Sequence, residues 1–166
     1  KFGGDGENAL SRIMGEITIE PNILSDYDCE YEVYNEDVYD MVQKVGHVNC
    51  AYFDPPYNQH PYGSNYNILN TIHDYDKPEN MSNVSGIRQD WNKSDYNYKQ
   101  SAEESLTNLI SKTDSDFIIL SYNNEGIISS DKIFEILSSY GVVELKKQEY
   151  NTFRGSRNLK DRSNKV

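Results

Sequence analysis

The chain has 166 residues, with 16 Lys+Arg against 27 Asp+Glu and a formal net charge of -11. That length suits one domain with a single core, and no apolar run approaches the roughly 18 residues of a membrane helix, which excludes a membrane-spanning protein. Two cysteines, Cys29 and Cys50, cannot make a disulfide framework, and Lys1-Phe2-Gly3-Gly4-Asp5-Gly6 contains no signal-peptide stretch, so a reducing cytoplasm is expected.

Glu7 to Met14 reads as a short helix, and Tyr31 to Tyr34 alternates apolar and polar residues like a strand. Asp37 to Val45 is expected to be helical through Val38, Met41, Val42 and Val45. Val48 to Phe53 is a short, mostly apolar run that stops at Asp54-Pro55-Pro56-Tyr57, the pattern of a buried parallel strand followed by a loop. Ser64 to Tyr75 carries Tyr66, Leu69 and Ile72 at helical spacing. Asp76 to Tyr98 is polar, with Pro78 and Gly86, and reads as a long loop with little structure of its own; such loops are often functional. A helix resumes from Gln100, with Ala102, Leu106, Leu109 and Ile110 on one face, and Phe117 to Leu120 forms a second buried strand. From Asp131 a helix presents Ile133, Phe134, Leu137 and Tyr140 and closes at Gly141, after which Val142 to Leu145 starts another strand. This alternation predicts an α/β domain with a largely parallel sheet.

Charge is unevenly distributed. Residues 151–166 hold Arg154, Arg157, Lys160, Arg162 and Lys165 against Asp161 alone, a net +4 that leaves -15 for the rest. Such a block either touches an anion or is a solvated chain end, and composition leaves both open. His47, His60 and His73 with the two cysteines show no metal-ligand spacing, and neither a phosphate-binding loop nor a serine elbow is present, so no metal is expected.

Asp54-Pro55-Pro56-Tyr57 carries the chemical information. Open α/β sheets bind ligands at the carboxyl ends of their strands, where this tetrapeptide falls. The amino nitrogen of adenine is a poor nucleophile because its lone pair is delocalised into the ring. A catalyst must accept hydrogen bonds from both N–H groups and draw the nitrogen toward tetrahedral geometry. The Asp54 carboxylate is one acceptor, and the Pro55 carbonyl is the natural second. Pro56 has no N–H, and both rings fix φ, so the loop is rigid. Preorganised acceptors stabilise developing positive charge without reorganising. Tyr57 offers a flat face for a base, worth about 1–3 kcal/mol, and a base in a duplex must be flipped out to reach it. No strong general base is required, because the methylated, protonated amino group is very acidic.

The sequence resembles the adenine-specific, amino-methylating DNA methyltransferases of bacterial restriction–modification systems, Dam-like class. The resemblance rests on Asp54 to Tyr66 as the extended catalytic motif, on Ser121-Tyr122-Asn123-Asn124-Glu125-Gly126 as the next sheet-edge loop, and on Tyr150 to Asn158 as a hairpin lying against DNA. It implies a partial doubly wound, Rossmann-like sheet with flanking helices, making residues 1–166 a C-terminal catalytic portion and 151–166 a basic DNA-facing tail. It further implies methyl transfer from S-adenosylmethionine to the N6 amino group of adenine in double-stranded DNA. Asp54, Pro55, Pro56 and Tyr57 would be catalytic; Asp37, Phe53 and Asp54 would bind the cofactor; Asn58, Tyr62, Arg154 and Arg157 would bind nucleic acid. Asp37 is equally readable as a helix N-cap. A cognate restriction enzyme would act on the same site without needing to bind.

One departure concerns the cofactor loop. Phe2-Gly3-Gly4-Asp5-Gly6 fits the family's Phe-x-Gly-x-Gly spacing but has no strand before it, so it is read as a turn leading from a recognition region. Lys165-Val166 stops where the family would add a closing strand, and the chain reads as a catalytic half that is inactive alone. The alternatives are transfer to cytosine N4 or RNA adenine, or a non-catalytic DNA-binding fragment; Asp rather than Ser at the head of the motif favours adenine. Trp91 and Arg88 are readable either as DNA contacts or as a minor core contact.

Overall fold

The computed structural model describes residues 18, 20–21, 23–24, 26–76, 78–83, 87–151 and 163–165. The glycine string at 2–6 and the helix expected over 7–14 lie outside the described residues.

Helix α1 spans Val38–Val45. It starts there because the Asp37 carboxylate caps it, accepting from the Tyr39 N–H at 2.9 Å. It ends at Gly46, whose φ of 70° suits glycine and whose N–H reaches Val42 O. Two residues later the chain turns into β1, Val48–Phe53. The strand expected at Tyr31 to Tyr34 is not formed; Tyr31 and Val33 stand 82% and 86% exposed. Alternation supplies a strand's side-chain pattern, but a strand also needs a partner backbone, and none lies beside this stretch among the described residues.

β1 pairs in parallel with β2, Ser115–Leu120, in a register that sets Val48 opposite Ser115 and Phe53 opposite Leu120. The crossover runs through α2 (Tyr62–Asn65), α3 (Asn67–Asp74), a 3-10 turn (Asp95–Asn97) and α4 (Ala102–Lys112). The helix expected over Ser64 to Tyr75 is thus broken at Tyr66, after a Tyr-Gly-Ser-Asn turn of poor helix formers. α5, Ser130–Ser138, is capped by the Ser129 hydroxyl, which accepts from the Lys132 N–H. A short antiparallel pair, β3 (Glu149–Asn151) with β4 (Ser163–Lys165), closes the described chain. Val142 to Leu145 forms no strand; Val142 is fully exposed and Leu145 is 57% exposed.

Ala102, Leu106, Leu109 and Ile110 form the buried stripe of α4, and they pack with Val42 of α1, Phe53 of β1, Tyr96, Ile128 and Ile136. Ala51 and Phe53 on one strand, with Ile118 and Leu120 on the other, lie against this core. The opposite face carries Tyr52, Phe117 and Ile119, at 61%, 71% and 53% exposure. The expectation of buried strands is therefore corrected: among the described residues, helices cover one side of the sheet and the other is exposed. The result is a mixed helix and strand architecture around a small parallel sheet.

Candidate active site

The ladder between β1 and β2 ends together. The Ser121 N–H donates to Phe53 O at 2.9 Å, one residue beyond the last paired position. The chain therefore leaves both strands at the same level, placing the loop after β1 beside the loop after β2. Asp54 is exposed at that edge, Pro55 is buried, and Pro56 and Tyr57 are half-buried. Among the described residues no hydrogen bond engages the Asp54 carboxylate or the Pro55 carbonyl. Phe53, expected at a cofactor, has its side chain in the core and is 8% exposed.

The exit of the loop is held from two sides. Tyr57 O accepts from the Ile127 N–H at 2.8 Å, a bond from the loop after β2. Asn58 O accepts from the Asn97 side-chain amide at 2.7 Å, a bond from the 3-10 turn. The Asn58 side chain turns inward on its own loop, its Oδ1 accepting from the His60 N–H. The Tyr57 ring meets Tyr122 edge to face, with centroids 6.4 Å apart. Tyr122 is itself fixed, its hydroxyl accepting from the Ile128 N–H at 3.1 Å. Burial pushes its phenol above the ordinary tyrosine range, and the N–H groups of Ile128 and Ile127 pull in the other direction. A Cβ at Gly126 would overlap the Tyr122 ring, so this close approach admits only glycine.

Tyr62 opens α2 and stacks at a tilt on Tyr66, with centroids 5.8 Å apart. Partial burial raises its phenol pKa, and the charge of nearby Asp54 adds to the rise, so the hydroxyl keeps its proton. An open groove runs from Asp54, Tyr57 and Tyr62 along the exposed face of the sheet to residues 142–148.

Described residues of the loop between 76 and 98 contact α2 and α3. Arg88 pairs with Asp90 at 2.7 Å and Asp76 at 3.1 Å, and its N–H donates to Asn67 Oδ1. Met81 and Arg88 form an isolated antiparallel bridge, and the Trp91 Cβ lies against Gly63. The loop therefore has more structure than its composition suggests, and Arg88 and Trp91 are engaged in holding it.

Asp37 caps α1, as one of its two readings expected. The turn between α1 and β1 is two residues long, Gly46 and His47. Asp37 also lies close enough to Tyr96 to contribute to the upward shift of that phenol, which burial dominates. Arg154 and Arg157 lie outside the described residues; the β3–β4 pairing brackets them, with Glu149 opposite Lys165. Among the described residues no group of three His, Cys, Asp or Glu side chains could hold a metal.

Two parts of the site have no local sequence signal. Asn97 is 39 residues from the loop that it holds, and Ile127 acts through its main chain.

A family model described as D12 class N6 adenine-specific DNA methyltransferase matches residues 10–148. The modification methylase StsI of Streptococcus sanguinis is 34% identical over 150 residues, 86% of this chain and 22% of that protein. The type II methyltransferase M.NlaIII of Neisseria lactamica is 30% identical over 156 residues, 94% of this chain and 46% of its own. The type II methyltransferase M.FokI of Planomicrobium okeanokoites is 34% identical over 134 residues, 80% of this chain and 20% of its own. The chain thus spans less than half the length of these curated relatives. No solved structure matches it.

Proposed function

The chain belongs to the D12 class of N6 adenine-specific DNA methyltransferases, and from that premise we propose that the full-length protein methylates adenine N6 at a specific sequence in double-stranded DNA. The single observation that carries this reading is the pair of acceptors at the end of β1, the Asp54 carboxylate and the Pro55 carbonyl, which no hydrogen bond within the described chain engages. Two acceptors on a proline-fixed loop suit an amino group with two N–H donors.

In this mechanism the target adenine is flipped from the duplex and stacks on Tyr57. Asp54 and Pro55 accept its two amino hydrogens and favour the tetrahedral nitrogen from which the lone pair attacks. Tyr62, protonated beside Asp54, lines the approach to the base. S-adenosylmethionine, when bound, supplies the electrophilic methyl. Asp37 and Asp54 would hold that ligand: the Asp37 Oδ1 is used by the cap, which leaves its second oxygen for a donor on the adenosine. Methylation makes the amino nitrogen strongly acidic, so its proton leaves without a dedicated strong base.

Residues 1–166 form part of one catalytic domain with a doubly wound sheet, and 151–166 lie on DNA through their five cations. No described helix is long and apolar enough to cross a membrane. The protein works in the cytoplasm, and a cognate restriction enzyme cuts the same sequence without binding to it. If Arg154 and Arg157 meet phosphates, replacing both with Ala lowers the salt slope of binding by about 2 and weakens all sequences alike. An unchanged slope removes the tail from the interface.

Methylome sequencing of a host expressing the full-length gene tests the function. N6-methyladenine at one defined sequence is expected. Modified cytosine, modified RNA or no modification contradicts it.

A further inference from the structure

We propose that Asn97 is a positioning residue for the base-stacking tyrosine, an inference that rests on the methyl-transfer reading above. Asn97 is 3% exposed, and its amide donates to Asn58 O at 2.7 Å. The preceding carbonyl, Tyr57 O, is held by the Ile127 N–H at 2.8 Å. Two successive peptide planes are thus pinned from different elements, on the two sides of one Cα. The shared Cα is that of Asn58; the first plane contains the Tyr57 Cα, and the second, pinned by Asn97, fixes the Asn58 end to which it is joined, so the pair limits where the Tyr57 ring lies.

The element that carries Asn97 is built as a fixed support. The Ser94 hydroxyl caps the 3-10 turn, accepting from the Tyr96 N–H. The Ser101 hydroxyl donates to Asp95 O at 2.8 Å. Tyr96, 5% exposed, donates its hydroxyl to Ser105 O at 3.1 Å, and Tyr39 of α1 donates to the same carbonyl at 3.0 Å. The turn is therefore anchored to α4, and through Ser105 to α1, which Asp37 caps. Asn97 is the side chain that carries this support across to the loop after β1. Without its donor, the carbonyl of half-buried Asn58 loses its partner or the loop shifts to find another.

The test uses the full-length protein, unmethylated DNA containing its site, and three variants. Asn97→Ala removes the donor, Asn97→Asp replaces it with an acceptor at nearly the same volume, and Asn97→Gln keeps a donor on a longer arm. The single-turnover methyl-transfer rate should fall at least about tenfold in the Ala and Asp variants, because a small misplacement of a reacting group is costly. The KM for S-adenosylmethionine should stay within about twofold, since binding of the donor is not the interaction removed. Asn97→Gln should transfer faster than either, although its extra methylene lowers the melting temperature. A purely structural residue would instead give rates that follow melting temperature regardless of the donor, and that result overturns the proposal, as do wild-type rates in all three variants. Asn97→Asp separates donor from volume even if another variant does not fold. A wild-type protein that methylates nothing defeats the underlying reading; a methylating wild type with unaffected variants defeats only the role of Asn97.

Discussion

The five residues from Asp54 to Asn58 divide into two halves that the protein treats differently. At the entrance, the Asp54 carboxylate and the Pro55 carbonyl make no hydrogen bond within the described chain. At the exit, the carbonyls of Tyr57 and Asn58 are each taken by a donor from a distant element. An acceptor without an internal partner is a poor contributor to folding and a good one to binding, whereas a satisfied carbonyl does the reverse. The contrast shows how a short loop holds reactive groups open without becoming loose: its second half is fixed so that its first half need not be.

The largest effect should come from breaking the open half. Asp54→Ala removes one preorganised acceptor and should lower the methyl-transfer rate by at least about 10²–10³-fold. Circular dichroism and DNA binding should be retained, because the lost carboxylate holds nothing within the described fold. Substantial activity in a tritiated-methyl assay would place the chemistry elsewhere.

A smaller effect follows from disturbing the fixed half. Gly126→Ala forces a methyl group onto the Tyr122 ring, which then moves away from Tyr57 and from the Ile128 N–H. Overpacking of this kind costs about 1–3 kcal/mol, readable as a lower midpoint in urea denaturation. Full stability in the variant would mean that the loop after β2 accommodates a side chain there.

The smallest effect belongs to a group outside both halves. His47 lies at the far end of β1, where Nδ1 approaches Asp114 at 3.0 Å and Nε2 approaches Asp116 at 3.8 Å. The hydrogen bond and charge of Asp114 raise its pKa, against the small opposing effect of desolvation, with Asp116 adding to the rise. A raised histidine contributes stability that is complete below the ordinary value of about 6.5 and is lost as pH rises through the higher folded value. The exposed pair contributes little. His47→Gln should abolish this slight pH dependence of melting and leave methyl transfer unchanged. A wild type that loses stability relative to the variant on acidification through this range would reverse the sign.

Periodicity was enough to read the elements with strong amphipathic faces. Ala102, Leu106, Leu109 and Ile110 form one buried stripe in the structure, and Val48 to Phe53 ends at Asp54 as the abrupt change in composition suggests. Strands expected at Tyr31 to Tyr34 and Val142 to Leu145 were not legible in the same way, because a strand exists only with a partner and alternation says nothing about one. The expectation of buried strands failed on one face for a related reason: apolar Phe117 and Ile119 cannot reveal from sequence whether anything covers them. At the site, the tetrapeptide was legible because its chemistry is local. Its supports were not, since a buried asparagine and a main-chain N–H carry no pattern that links them to a loop far away in the chain.

In the proposed mechanism, Asp54 and Pro55 accept the two amino hydrogens of a flipped adenine. A crystal structure of the full-length protein with duplex DNA carrying its site and S-adenosylhomocysteine tests this directly. The N6 nitrogen of an extrahelical adenine should lie about 2.7–3.2 Å from both an Asp54 oxygen and the Pro55 carbonyl, with its ring on Tyr57. An adenine whose amino group meets neither acceptor, or a different base in the pocket, would contradict it.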